Sequence, residues 1–507
     1  MKGFVSHAFL LALAAFQVVS AEPDYSCSKT KPCKVGCCAV NADGVGVCGG
    51  GPEFCSPPKC ISQCGWKSEC DPGWGIQWSN ASTCPLNVCC SDFGFCGTTK
   101  EFCKGKTVTS PECGADKRTA EGRTVGYYEG WSTQRECGAM RPDEIPLGRY
   151  THINFAFAYV YLVDHGVAHM DSTTMTLYRN VTALKARQPG LQVWIAVGGW
   201  AMNDPDSSYT TAFSDMARTN ASQDIFIDSL IAFMVENDFD GVDLDWEYPV
   251  AEDRGGSKDD FDNYAILLRR MREKFNGLNK RYGISIAIPA SYWYLRGFNL
   301  KALEPSVDWF NIMTYDIHGT WDSVIPSLGP YAYAHTNLTE INDGLELLWR
   351  NDVKPENVNL GLGFYGRGFT MADPKCMAPG CPYKNSTGTR AGRCTKTPGM
   401  LSAAEIGEIL KKGANSTFYE KEAVQVVTWD HDQWLSWDDA RTIKMKREYA
   451  NKRCLGGTMV WAIDLDDGTL NQALGNATLT PQESVQAPSQ AVKEVFTQPG
   501  NASSCEA

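Results

Sequence analysis

The segment Phe239-Asp240-Gly241-Val242-Asp243-Leu244-Asp245-Trp246-Glu247-Tyr248-Pro249 places a carboxylate at every second position from Asp243 to Glu247. An extended strand sends alternate side chains to one face, so Asp243, Asp245 and Glu247 stand in a row while Val242, Leu244 and Trp246 face the other way. Neighbours in such a row are about 6 to 7 Å apart, the rise of two strand residues. Like charges at that spacing raise one another's pKa, which keeps one carboxylic acid protonated near neutral pH and fit to protonate a leaving group. A half-exposed polar strand and a calcium loop are the competing readings. An EF-hand loop needs glycine at its sixth position and polar spacers, whereas the spacers here are Val, Leu and Trp.

At 507 residues the chain exceeds what one hydrophobic core holds, so several domains are expected. Fifteen of the 21 cysteines fall between Cys27 and Cys113. The net charge of -12 argues against nucleic acid or an anionic membrane as partner. Lys2, the apolar run Ala8 to Val19 and the small residues Val19-Ser20-Ala21 read as a secretory signal over residues 1–21; a membrane anchor is the alternative, but the run is short for a bilayer. Sequons begin at Asn80, Asn180, Asn220, Asn337, Asn385, Asn415, Asn476 and Asn501. Signal, cysteines and sequons together indicate a secreted, extracellular protein, with cell-wall association left open.

Residues 22–65 carry Cys27, Cys33, Cys37, Cys38, Cys48, Cys55, Cys60 and Cys64 among few large apolar side chains, so crosslinks rather than a core must hold them. A metal cluster is the competing reading. Residues 66–113 repeat the pattern with Cys70, Cys84, Cys89, Cys90, Cys96 and Cys103. Ser91, Phe93, Phe95 and Phe102 accompany them; flat rings on a crosslinked scaffold can stack on pyranose faces while a hydroxyl bonds an acetamido carbonyl. A polar linker is expected over 114–122 and a polar tail over 476–507.

Between them, over 123–475, eight β-rich apolar runs alternate with helical periods: 124–128, 153–159, 193–197, 242–246, 284–288, 309–313, 358–362 and 458–463. The alternation predicts a parallel (β/α)₈ barrel, an α/β fold. Phe261, Tyr264, Leu268, Met271 and Phe275 mark one helix's core stripe. Reactive groups in such a barrel collect at the C-terminal strand ends. There the third run offers Gly198-Gly199-Trp200, the sixth Met313 to Asp316, the seventh Tyr365-Gly366-Arg367 and the eighth Trp461.

The acidic row matches the Asp-x-x-Asp-x-Asp-x-Glu signature of glycoside hydrolase family 18, and residues 123 to 474 resemble fungal class V chitinases of the killer-toxin-like subgroup. The cysteine sets resemble hevein-like chitin-binding modules. That resemblance implies the bonds Cys27–Cys38, Cys33–Cys48, Cys37–Cys55 and Cys60–Cys64, then Cys70–Cys90, Cys84–Cys96 and Cys89–Cys103. The partners of Cys113, Cys137, Cys376, Cys381, Cys394, Cys454 and Cys505 stay open. In the first copy Ala39 replaces the sugar-binding serine and only Phe54 keeps an aromatic, so a structural role is expected. In the second, Ser91, Phe93, Phe95 and Phe102 hold the sugar-binding positions.

The resemblance further implies an insertion at about 367–435 that walls the cleft, and substrate-assisted, retaining hydrolysis of β-1,4-linked N-acetylglucosamine polymers. Glu247 is the implied acid, Asp245 the group orienting the acetamido N–H, Asp243 its proton-sharing neighbour, and Tyr315 a donor to the acetamido group. Tyr127, Gly198, Gly199, Trp200, Tyr248, Met313, Asp316, Arg367 and Trp461 would line the groove. One position departs from the family pattern: Ala196 stands where a serine normally helps hold the inner acid, so Asp243 is expected to lean on Tyr127. Chitin and its oligomers are the implied partners of a monomer needing neither cofactor nor metal; a chitin-binding lectin or a killer-toxin-like subunit is the alternative.

Overall fold

A computed structural model describes residues 25–114 and 117–479. The expected signal, Cys505, Asn501 and the chain from residue 480 lie outside the described residues, as does the side chain of Asn385. The chain divides into two compact units, with the break after Lys106.

The larger unit is a closed parallel barrel. Its strands are β1 (Arg123–Glu129), β2 (His152–Val160), β3 (Gln192–Gly198), β4 (Gly241–Asp245), β5 (Gly283–Pro289), β6 (Trp309–Met313), β7 (Val358–Gly363) and β8 (Gly457–Trp461). Each pairs in sequence order with the next, and β1 pairs with both β2 and β8, which leaves no barrel edge open. Helices cover the outside, so Ile284, Ile286 and Ile288 or Val358, Leu360 and Leu362 are fully buried; this is why these strands read as continuous apolar runs rather than alternating ones. Inside, Trp194 and Trp309 stack at 4.5 Å, with the His152 ring edge-on to both at 5.3 and 4.9 Å. The barrel is packed, and its functional surface is the rim.

The helix Asp260–Asn276 buries Tyr264, Leu267, Leu268, Met271 and Phe275. Phe261 departs from the expected stripe: it is 38% exposed, and Leu267, beside Leu268, is buried in addition to the expected residues. Between β7 and β8 lies an antiparallel sheet ordered Tyr383–Gly388, Tyr365–Met371, Gln433–Trp437, Val424–Trp429, Asn415–Tyr419, with Met400–Ser402 beside Tyr365–Met371. Its core gathers Phe369, Met371, Tyr383, Val426 and Trp434. The insertion therefore starts two residues earlier than the sequence suggests. Arg367 stands on its first strand and not at the end of β7, because the barrel strand stops at Gly363.

In the smaller unit, Cys37–Val40 pairs with Gly46–Gly49 and Cys60–Ser62, and Cys89–Cys90 pairs with Cys96–Gly97. The bonds Cys27–Cys38, Cys33–Cys48, Cys37–Cys55, Cys60–Cys64, Cys70–Cys90, Cys84–Cys96 and Cys89–Cys103 are formed. The long Cys70–Cys84 interval has a packing role. The Asp71 carboxylate accepts from the N–H groups of Gly73, Trp74 and Gly75 at 2.8, 2.7 and 3.0 Å. The turn lays the Trp74 ring on Gly51, where a Cβ would come within 2.6 Å of it.

Cys113 belongs to the barrel and not to the second cysteine set, since it is bonded to Cys454. Its N–H donates to the Lys452 carbonyl at 2.9 Å, and the Ala120 N–H to Asn451 Oδ1 at 2.9 Å. The expected linker is thus clamped to the end of the last long barrel helix, Ala440–Lys452. Cys137–Cys394 and Cys376–Cys381 are the other bonds of this unit. The Cys113–Cys454 bond closes a loop 341 residues long. Replacing both cysteines with Ser is expected to lower the unfolding free energy by about 6 kcal/mol in denaturant titrations, the loop-closure entropy of so long a loop.

Candidate active site

The acidic row stands where β4 reaches the rim. Asp243, Asp245 and Glu247 are all buried. Asp243 lies in register between Ala196 on β3 and Ser285 on β5. Its Oδ2 accepts from the Tyr127 hydroxyl at 2.6 Å; its Oδ1 accepts from the Ser285 hydroxyl at 2.5 Å and the Asn311 amide at 2.9 Å. The hydroxyl missing at position 196 is thus matched by one on the opposite neighbour. Ser285 and Asn311 escaped the sequence reading because a lone polar residue inside an apolar run carries no spacing signal. The chain of amides continues downward: Asn359 Nδ2 donates to Asn311 Oδ1 at 3.0 Å, and Arg123 Nε to Asn359 Oδ1 at 3.1 Å.

Burial pushes all three carboxyls up, because removing water disfavours the charged form. Asp243 is raised despite its three donors. Asp245 is raised well above the usual carboxylate range by burial, then by the charges of Glu247 and Asp243. One of its oxygens is buried without a hydrogen-bond partner in the protein. Burial lifts Glu247 to about 7, against the opposing pull of the Tyr248 hydrogen bond and the Arg254 charge. The row is therefore a set of neighbouring acids that burial pushes toward the protonated form, with Glu247, lifted to about 7, poised to exchange a proton near neutral pH.

The glycines after β3 shape the wall beside it. Gly198 has φ 117°, and a Cβ there would meet the Asp245 carbonyl oxygen at 2.2 Å; Gly199 donates its N–H to that oxygen at 2.8 Å. At Gly198 it is the passing backbone of β4 that leaves no room for a Cβ, and at Gly199, φ 90°, it is the Phe157 ring, at 2.5 Å. Trp200 follows them, half exposed, with Tyr248 edge-on at 6.5 Å. Across the cleft Trp461 packs on Phe157 at 5.6 Å and on Tyr127 at 5.4 Å, with Trp131 at 6.3 Å. Phe157 and Trp131 complete an aromatic floor that the sequence reading left out. Met313 and Tyr315 pack against the same cluster, and the Tyr315 hydroxyl donates to Met459 Sδ at 3.6 Å.

Asp316 is held in a separate cluster. Arg367 donates to it from Nε at 2.8 Å and from the terminal nitrogen at 2.6 Å, and the Tyr365 hydroxyl donates at 2.6 Å. Burial would raise this carboxyl, but the Arg367 charge and hydrogen bonds outweigh it and hold Asp316 well below the usual carboxylate range. The charge of this carboxylate in turn helps raise Glu247.

In the smaller unit Phe93 is 73% exposed, whereas Phe95 is half-buried with its ring 6.2 Å from Trp66. Ser91 is buried, and its hydroxyl accepts the Phe95 N–H at 3.1 Å. Phe102 lies over Gly97, where a Cβ would come within 2.6 Å of the ring.

The model for Glycosyl hydrolases family 18 matches residues 123–466, more than half of the chain and all of the barrel's rim. The chain belongs to glycosyl hydrolase family 18. A second model, Chitin recognition protein, matches residues 75–115. Among family relatives, the Secreted chitinase LysM12 of Penicillium expansum is 30% identical over 76% of this chain and 27% of its own length. The Killer toxin subunits alpha/beta of Kluyveromyces lactis are 31% identical over 78% of this chain and 34% of their own length. The chain therefore spans about a third or less of these curated relatives. Catalytic domain 2 of the Ostrinia furnacalis Group II chitinase superposes with a TM-score of 0.62 at 28% identity, covering 73% of this chain and 99% of that domain.

Asn311 is the hinge of the buried network, donating to Asp243 and accepting from Asn359. Asn311→Ala removes one of the three donors to Asp243 and leaves the Asn359 amide without its acceptor in the barrel interior, and is expected to cost about 2 kcal/mol in chemical unfolding, the penalty of a buried polar group left unpaired.

Proposed function

We propose that this protein is a secreted chitinase that cleaves β-1,4-linked N-acetylglucosamine polymers with retention of configuration, and that its Phe93-bearing module holds it on solid substrate. Family membership and the match to a chitin recognition model support the substrate class. The observation that carries the reading is the buried row of acids, with Glu247 lifted to about 7 beside a raised Asp245.

Glu247 gives its proton to the glycosidic oxygen as the bond to the anomeric carbon breaks. The substrate's own 2-acetamido oxygen attacks that carbon from the other face and forms an oxazolinium ion, an intramolecular step favoured by high effective concentration. Asp245 accepts the acetamido N–H and balances the developing positive charge, its proton passing toward Asp243. Tyr315 donates to the acetamido group and Trp461 floors the sugar, while Met313, Tyr248 and the Asp316–Arg367 pair line the groove. Water, deprotonated by Glu247, then opens the ring from the face the leaving group vacated, which restores the starting anomer. Secretion rests on the signal-like segment and the disulfides; among the described residues no helix is long and apolar enough to cross a membrane.

Glu247→Gln is expected to remove nearly all turnover of N-acetylchitooligosaccharides while oligomer binding persists; turnover near the unsubstituted level would refute the acid assignment. Because the acid must carry its proton, kcat/KM should fall as pH rises through about 7 and hold at moderately lower pH. Phe93→Ala is expected to reduce retention on insoluble chitin several-fold with soluble oligomers cut at an unchanged rate, read by pull-down alongside product analysis.

A further inference from the structure

Arg254, in the loop after β4, is 3% exposed and ties together groups from two strand ends. Its Nε donates to the Glu247 carbonyl oxygen at 3.1 Å, one terminal nitrogen to the Trp200 carbonyl oxygen at 2.5 Å, and the other to Asp204 Oδ1 at 2.7 Å. The guanidinium also lies flat under the Trp200 indole, 3.6 Å from its centroid, while Trp200 remains 51% exposed. One face of the ring thus rests on a buried cation and the other is open to solvent. The loop has little freedom to shift: at Gly255, φ 74°, a Cβ would meet the Thr210 carbonyl oxygen at 2.3 Å. Next to Arg254, Asp253 accepts the Tyr294 hydroxyl at 2.9 Å, and Tyr294 stacks on Tyr248 at 4.3 Å.

We propose that Arg254 is a positioning residue that locks the Trp200 platform at the end of β3 to the Glu247 backbone at the end of β4, so that a sugar seated on the indole sits at a fixed distance from the acid. The inference rests on the chitinase reading above. A planar fork makes several directed hydrogen bonds and stacks on an aromatic face at the same time, which a lysine ammonium cannot do. Without the fork, the exposed indole has only its own loop to hold it, and a displacement of about 1 Å between a bound sugar and its acid costs about 100-fold in rate.

The test uses the full chain carrying Arg254→Lys, Arg254→Met, Trp200→Ala and the Trp200→Ala/Arg254→Lys pair, each checked for folding by thermal unfolding. Arg254→Lys keeps the charge and loses the fork, and is expected to lower kcat on N-acetylchitohexaose by about 100-fold, with the high-pH limb of the profile unmoved. Arg254→Met also removes the charge. Asp204, Asp316, Asp245 and the Tyr248 hydroxyl remain around Glu247, so its high-pH limb should move up. If Arg254→Met does not fold, Arg254→Lys and the pair decide alone. The losses from Trp200→Ala and Arg254→Lys should fail to add, since each breaks the same coupling. Additive losses, or an Arg254→Lys kcat within a few-fold of the unsubstituted protein, would overturn the proposal. If the unsubstituted protein leaves the hexamer uncut, the chitinase reading falls instead. The same pair is then compared by tryptophan-fluorescence titration with the hexamer, where additive weakening again overturns the coupling.

Discussion

A carboxylate in the middle of a closed barrel is the constraint around which the rest of the site is arranged. Asp243 has no access to water, so its oxygens must be served by the protein, and Tyr127, Ser285 and Asn311 do this from three different strands. A charge buried without such partners would unfold the barrel or stay permanently neutral. With them, the carboxyl is still raised by burial, but the three hydrogen bonds oppose that rise by favouring the charged form. The amides of Asn311 and Asn359 extend the same logic toward Arg123, so the catalytic layer is tied by hydrogen bonds to the floor of the barrel.

Two electrostatic settings divide the cleft. On the β4 side burial dominates and pushes the acids toward the protonated form; on the β6 side the Arg367 fork overrides burial and holds Asp316 toward its charged form. Neighbouring carboxyls of the same chemistry are thereby pushed in opposite directions, the arrangement an acid catalyst requires. Arg367 comes from the insertion's first strand, so the inserted sheet contributes to this division as well as adding a wall.

The sequence made the backbone plan readable because that plan is periodic. Alternate carboxylates and eight apolar runs each repeat in a way that fixes local geometry, and the strands follow them; the seven module bonds are those that the resemblance to hevein-like modules implies. What escaped the reading is non-periodic. Ser285, Asn311 and Phe157 acquire meaning only when distant strands meet, and Arg254 sits in a loop with no pattern of its own. Phe261 shows the limit of a stripe read by spacing: three-residue steps from Tyr264 reach both it and Leu267, and of the two only Leu267 is buried. The Ala196 departure likewise made Tyr127 look more solitary than it is, since the compensating hydroxyl lies on β5.

The bond from Cys113 to Cys454 also sets how tension passes through the chain. A pull arriving along the seven residues after Lys106 reaches the barrel at a covalent anchor just past the end of a packed helix, before it reaches the hydrogen bonds of β1. Were that anchor absent, the same load would bear on the first strand and could unzip it from its two neighbours. As built, the closed cylinder is shielded from whatever drags on the front of the molecule.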